Sequence, residues 1–264
     1  MIKVAAVDLD GTLLRSDGTV SPATVATIGR VVKSGVRVVI VTARPPRFVV
    51  KLAMDVGLTG QAVCANGAIV LDLDTAEATI SGPLSTDVAR HAADCIAAVL
   101  PGAAFAIETG GHCVVGPGYE HRATREDART EVQTLDELWT GTDTCVKLLA
   151  WSRTPVTDAL LDVVAQALPV EATLTYSGAP GMLEIQAAGV SKLATLAELC
   201  ARWGVAAAEV AAFGDMPNDL PLLRWAGLSV AVANAHPGLL AVADEVTASN
   251  DEDGVARVFM RWEK

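Results

Sequence analysis

Val7-Asp8-Leu9-Asp10-Gly11-Thr12-Leu13-Leu14 is the stretch on which the reading of this chain turns. An apolar run from Ile2 to Val7 delivers two carboxylates two residues apart, and Gly11 then lets the chain turn. In a strand, residues i and i+2 face the same way, so Asp8 and Asp10 are expected to project together from the strand's carboxyl end. A buried pair of like charges is costly without a cation or a shared proton. A divalent metal is the simplest compensation, so the pair reads as a site rather than a fold element.

Outward from this stretch, β-branched apolar runs alternate with helical patterns. Ile2–Val7, Val36–Val41 and Gln61–Ala65 read as strands. Ser21-Pro22 is an N-cap followed by proline at the first helical position, and Gly35 closes that helix. Pro45-Pro46 opens a second helix that ends near Gly57. This βαβαβ order predicts an α/β fold, a Rossmann-like parallel sheet with right-handed crossovers. Sites in such sheets gather at the carboxyl ends of strands, where Asp8, Thr42 and Asn66 fall.

The pattern changes after Ala68. A hairpin is expected to Ser81, turning near Asp74-Thr75, and Ser81-Gly82-Pro83 reads as a linker. Mixed helices and strands follow to Ala187. Strand–helix alternation then resumes, with a helix over Ser191–Trp203, a strand over Val210–Phe213, a helix over Pro217–Trp225, a strand over Leu228–Val232 and a last helix over Glu252–Trp262. Residues 1–82 and 189–264 are therefore expected to form one split core, and 83–188 an inserted α+β cap.

Composition narrows the function. The chain has 264 residues, 51% of them hydrophobic, enough for a sizeable core. Its net charge of −11 disfavours nucleic acid and anionic membranes as partners. The five cysteines are scattered and form no C-x-x-C pair, which fits a reducing, cytoplasmic setting. No leader peptide and no membrane span are expected, nor any zinc site, since no histidine pair has ligand spacing. Monomer and small homo-oligomer both stay open.

Four segments carry the chemistry. They are Asp8-Leu9-Asp10-Gly11-Thr12, Thr42-Ala43-Arg44, Lys192, and Gly214-Asp215-Met216-Pro217-Asn218-Asp219. Phosphate-monoester hydrolysis is among the slowest uncatalysed reactions, with enzymic accelerations up to about 10²¹-fold. A carboxylate nucleophile divides the step in two. Mg²⁺, a hard cation that prefers oxygen ligands, offsets the charge, and a lysine, hydroxyls and backbone amides orient the phosphoryl oxygens. A second acid handles the leaving group's proton.

With these motifs the chain resembles the haloacid-dehalogenase-like superfamily, and within it the Cof-type phosphatases with a large C2-type cap. The likeness spans residues 8 to 219 and extends to the tail Asn250-Asp251-Glu252-Asp253-Gly254-Val255. The resemblance implies a Mg²⁺-dependent phosphatase of a small phosphorylated metabolite, such as a sugar phosphate. By it Asp8 is the nucleophile and Asp10 the general acid/base. Thr42 binds a phosphoryl oxygen, Lys192 pairs with the phosphoryl group and Asp8, and Asp215 is a metal ligand beside the Asp10 carbonyl. Asp219 ligates or supports the metal, and Asn218 contacts phosphate or Lys192. Ala43 departs from the family's glycine and narrows the backbone's approach to a ligand. The cap is expected to exclude water and shape specificity.

Several of these residues have plainer readings. Thr42 suits a helix N-cap, Lys192 a solvated helix position, and Asp219 the first turn of a helix. Asn66-Gly67 is either a turn or a substrate contact, and Arg44 and Arg47 either bind substrate or sit at the surface. His112, His121 and Arg122 either line the cap or face solvent. Asp72-Leu73-Asp74-Thr75 repeats the Asp-x-Asp spacing without the glycine and reads as hairpin acids. Two other functions share the scaffold: a sugar-phosphate mutase or phosphotransferase, and a non-catalytic phosphometabolite-binding protein.

Overall fold

Val4–Val7 (β1) is fully buried, and this is why its sequence is continuously apolar rather than alternating. In the computed structural model, which describes residues 1–121, 129–142 and 144–262, β1 is followed by α1 (Pro22–Lys33), β2 (Arg37–Ile40), α2 (Val50–Asp55), β3 (Gln61–Cys64), β4 (Ile69–Asp72) and β5 (Ala78–Ile80). Next come α3 (Thr86–Val99), β6 (Ala104–Glu108), β7 (Cys113–Val115), β8 (Arg129–Glu131), α4 (Leu135–Thr140), β9 (Lys147–Trp151), α5 (Asp158–Ala167), β10 (Ala172–Thr175) and β11 (Met182–Ala187). The chain closes with α6 (Lys192–Trp203), β12 (Val210–Gly214), α7 (Leu220–Trp225), β13 (Leu228–Ala231), α8 (Pro237–Leu240), β14 (Glu245–Val246) and α9 (Gly254–Phe259).

Two compact units result, Met1–Thr79 with Ser191–Lys264, and Ile80–Val190. The first holds a parallel five-stranded sheet in the order β14-β13-β12-β1-β2. Its central pair, β1 and β12, comes from opposite ends of the chain, with Val7 opposite Phe213. That register sets Asp8 beside the loop after β12. Leu199, Val210 and Leu222 join Val4 and Ala6 in the core below. The second unit holds a six-stranded sheet in the order β10-β11-β9-β6-β7-β8.

The third strand departs from expectation. β3 meets the parallel sheet at one bridge only, Val41 to Val63, and instead pairs antiparallel with β4 along its length, in a separate sheet β3-β4-β5. The hairpin wins because a short connection pairs neighbouring strands at little entropic cost. The helix expected from Pro45 is broken into a tight turn over Pro46–Phe48 and the short α2. The last helix starts at Gly254 rather than Glu252, because Asp253 takes a left-handed φ of +60°. Ser21, read as an N-cap, does carry a side-chain cap onto the backbone three residues on, and Ser85, Thr134, Thr157 and Ser191 cap their helices in the same way.

Candidate active site

The turn after β1 places the first two acids. The Asp8 amide donates to Phe213 O at 3.1 Å, extending the β1–β12 pairing by one residue. The chain then makes one wide turn, closed by Leu13 N–H to Asp8 O (3.2 Å) and Leu14 N–H to Leu9 O (2.8 Å). Gly11 sits at its tip with φ +74°, and a Cβ there would lie 2.3 Å from Asp215 Oδ2. Glycine is thus required for both conformation and space. The shared direction expected of Asp8 and Asp10 does not survive the turn. β1 ends at Val7, so strand alternation does not reach Asp10. Asp8 is buried, whereas the Asp10 side chain is 50% exposed.

Lys192 organises the buried acids. Ser191 caps α6 by accepting from Ala194 N–H at 3.0 Å, which places Lys192 at the helix's first position. Its Nζ donates to Asp8 Oδ1 at 2.6 Å and to Asp219 Oδ1 at 2.7 Å. The other oxygen of Asp219 accepts from the amides of Asp215 (3.1 Å) and Met216 (3.2 Å), so Asp219 ties the lysine to the loop after β12. Thr12 Oγ1 donates to Asp215 Oδ1 at 2.9 Å. Asp8, Asp215 and Asp219 each offer an oxygen within 4.8 Å of the others, and no other such group of metal-ligating side chains occurs among the described residues.

The electrostatics follow from this crowding. Burial drives the Asp8 carboxyl well above its usual range, Lys192 pulls it back, and the charges of Asp219 and Asp215 push it up further. Asp215 is raised to about 7 by burial and by Asp219, against the Thr12 hydrogen bond and Lys192. Burial alone would lower Lys192, yet the two carboxylates overcome it and raise its pKa, so it stays an ammonium. One ammonium faces three carboxylates. The donor set is all oxygen, buried and in charge excess, which suits a hard divalent cation.

A second layer comes from β2 and β3. Thr42 is fully buried, donates its amide to Val63 O (2.8 Å), and accepts the Arg44 amide on its hydroxyl (3.1 Å). The Arg44 guanidinium grips both oxygens of Asp10, at 2.8 and 2.6 Å. Asn66 N–H returns to Thr42 O at 2.9 Å. Ala65, Asn66 and Gly67 all have positive φ, of +50°, +54° and +104°, and a Cβ on Gly67 would meet Ser191 O at 2.2 Å. Such strain in a buried loop is held by its surroundings. Asn218 Nδ2 donates to Asn66 Oδ1 at 3.1 Å, while Asn218 Oδ1 is buried without a partner. Asn66 and Asn218 are thus brought together. The Arg47 guanidinium stacks on Phe48, 4.8 Å from the ring centroid.

Sequence reasoning missed the braces. Asn234 Nδ2 donates to Gly11 O and Asn250 Nδ2 to Leu14 O, each at 2.8 Å. Ser16 bonds Asp251, and Arg15 and Thr24 bond Asp253. These long-range contacts hold the turn after β1, and only the acidic tail motif hinted at them. Thr12 stood inside the first motif, with nothing to mark it as the partner of Asp215. The second Asp-x-Asp is a hairpin turn, Asp72 accepting from the amides of Asp74 and Thr75. His112 belongs to a turn closed on Thr109, His121 stands edge-on to Tyr119, and Arg122 lies outside the described residues.

Residues 5–259 match the family described as haloacid dehalogenase-like hydrolase. A 5-amino-6-(5-phospho-D-ribitylamino)uracil phosphatase of Bacillus subtilis is 30% identical, over 97% of this chain and 96% of its own. A second protein of that description from the same organism is 26% identical over 99% of this chain and 96% of its own. A crystal structure of a haloacid dehalogenase-like hydrolase from Bacteroides thetaiotaomicron superposes with a TM-score of 0.80 at 25% identity, covering 99% of this chain and 100% of that one. With its parallel core sheet and inserted unit, the chain belongs to the haloacid dehalogenase-like hydrolases.

Proposed function

We propose that the protein is a Mg²⁺-dependent phosphatase of a small phosphorylated metabolite, working through a phosphorylated Asp8. The observation that carries this reading is the buried Lys192 ammonium bonded to Asp8 Oδ1 at 2.6 Å, with Asp215 alongside. In this reading Asp8 Oδ attacks phosphorus and the ester P–O bond breaks. The departing alkoxide takes its proton from Asp10. Water then gives a proton to Asp10 and attacks phosphorus, releasing inorganic phosphate and restoring the Asp8 carboxylate.

Lys192, the Thr42 hydroxyl and the Asn218 amide orient the phosphoryl oxygens. Asp8, Asp215 and the Asp10 carbonyl would hold the cation. Bound there, Mg²⁺ would supply positive charge to offset that on the phosphoryl oxygens. Asp219 has both oxygens engaged, so its part is to fix Lys192 and the Asp215 loop. Asp10 serves as acid and base once its pair with Arg44 opens.

The segment 83–188 is assigned as the cap that sets specificity, and 1–82 with 189–264 as the catalytic core. The ribityl phosphate named for two relatives makes a sugar-type phosphomonoester the first substrate class to try. A cytoplasmic location accords with the scattered cysteines, and no helix among the described residues is long and apolar enough to cross a membrane. Release of inorganic phosphate from p-nitrophenyl phosphate, with Mg²⁺ and with chelator, tests the proposal. Background turnover in both conditions would count against it, and isomerised sugar phosphate without phosphate release would turn it into a mutase.

A further inference from the structure

One loop touches both of the turns that carry the acids. It runs from Val232 to His236, directly after β13, and β13 pairs with β12, the strand that leads into Asp215. At the end of the loop the His236 amide donates to Asp215 O at 2.7 Å. In its middle, Asn234 Nδ2 donates to Gly11 O at 2.8 Å. The loop's own shape is held by the Ala235 amide on Val232 O at 2.9 Å, and by Asn250 N–H, which donates to Asn234 Oδ1 at 3.0 Å. Both ends of the Asn234 side-chain amide are therefore engaged, although the residue is exposed.

Gly11 is the soft point of the turn after β1. Without a Cβ its backbone rotates more freely than that of its neighbours, and its φ of +74° lies in the left-handed region. It separates Asp10, whose carbonyl is proposed to meet the cation, from Thr12, whose hydroxyl donates to Asp215 Oδ1 at 2.9 Å. Rotation at Gly11 would displace both. The β1–β12 pairing cannot prevent this, because it ends at the Asp8 amide. The bond from Asn234 fixes the plane of the Gly11 carbonyl, while His236, two residues on, fixes the backbone of Asp215. An exposed side chain exchanges these bonds with water, so they add little to the stability of the fold. Outer contacts of this kind instead orient the groups that touch a metal.

We propose that Asn234 is a positioning residue of the cation site. It holds the Asp10-Gly11-Thr12 turn at the spacing from Asp215 that Mg²⁺ requires. That the cation is Mg²⁺ rests on the function proposed above; the link that Asn234 and His236 make between the two turns does not.

Calorimetric titration of the full-length protein with Mg²⁺ and, separately, with Ca²⁺ tests the role. Mg²⁺ tolerates little departure from octahedral geometry, whereas Ca²⁺ accepts a looser oxygen shell. Asn234→Ala is expected to bind Mg²⁺ about tenfold or more weakly than wild type, with about threefold or less change for Ca²⁺. The thermal midpoint of the chelator-treated variant is expected to match that of wild type. Equal Mg²⁺ affinity in the two proteins, or a parallel loss for both ions, overturns the proposal. Should Asn234→Ala fail to fold, Asn234→Ser replaces it under the same criteria. A wild type that binds no Mg²⁺ overturns this role together with the Mg²⁺ dependence proposed above. A wild type that binds Mg²⁺ but releases no phosphate sinks the phosphatase reading alone and leaves the Asn234 result standing.

Discussion

Lys192 Nζ lies 2.6 Å from Asp8 Oδ1, although 184 positions separate the two in sequence. The β1–β12 register and the Ser191 cap bring them together, and Asp219 takes a second bond from the same ammonium. One ammonium therefore serves two buried carboxylates.

Replacing Lys192 by Met leaves Asp8 and Asp219 buried beside each other without their partner. Breaking a buried pair in this way costs about 3–5 kcal/mol. Loss of one preorganised charge at the reacting group lowers kcat by roughly 10²–10³-fold. Denaturant unfolding and steady-state kinetics check the two effects; a stable, active Lys192→Met protein would separate the lysine from the site.

On the function proposed above, protons and metal compete for the same oxygens. Asp8 and Asp215 are raised above their unfolded values, Asp215 to about 7, so the folded metal-free protein holds protons that the unfolded chain releases above about pH 4. Stability of the metal-free form is therefore expected to fall as pH rises from about 4 through 7. Mg²⁺ affinity is expected to climb over the upper part of that window and level off above it. Thermal melts with chelator and with Mg²⁺ at several pH values follow both trends; a metal-free midpoint that rises over this range contradicts the assignment.

Gly11→Ala introduces a Cβ that meets Asp215 Oδ2 at 2.3 Å, at a residue with φ +74°. The left-handed conformation adds about 1–2 kcal/mol. Because the clash falls on Asp215, calorimetry is expected to show weaker Mg²⁺ binding even where the protein remains folded. Unaltered binding would remove Asp215 from the ligand set.

Arg44→Ala removes both hydrogen bonds to Asp10. The pair is exposed, at 31% and 50% for the two side chains, so stability is expected to change by less than about 1 kcal/mol. If Arg44 orients the acid that serves the leaving group, alkyl phosphates lose more turnover than p-nitrophenyl phosphate, whose leaving group needs little help. Equal losses on both would assign Arg44 to phosphoryl binding instead.

The parallel core was legible because buried strands such as Val4–Val7 and Val210–Phe213 leave uninterrupted apolar runs, and because Ser-capped helix starts are local events. Asp8, Asp215, Asp219 and Lys192 were legible as motifs at strand ends and a helix start. The partnership of Asp10 with Arg44 was not, since the i, i+2 argument fails where β1 stops at Val7. Nor was the departure of β3 into its own sheet, which depends on competition between a local hairpin and the edge of β2. The braces from Asn234 and Asn250 join segments more than 200 residues apart, and no local pattern encodes them.

The most direct test is to acid-quench the enzyme during turnover of a phosphomonoester with Mg²⁺, reduce it with borohydride, and sequence the product by mass spectrometry. An acyl phosphate is reduced to the corresponding alcohol, whereas a free carboxylate is not. The account predicts conversion of Asp8 to homoserine and of no other aspartate. Conversion at another residue, or phosphate release with Asp8 unmodified, would contradict it.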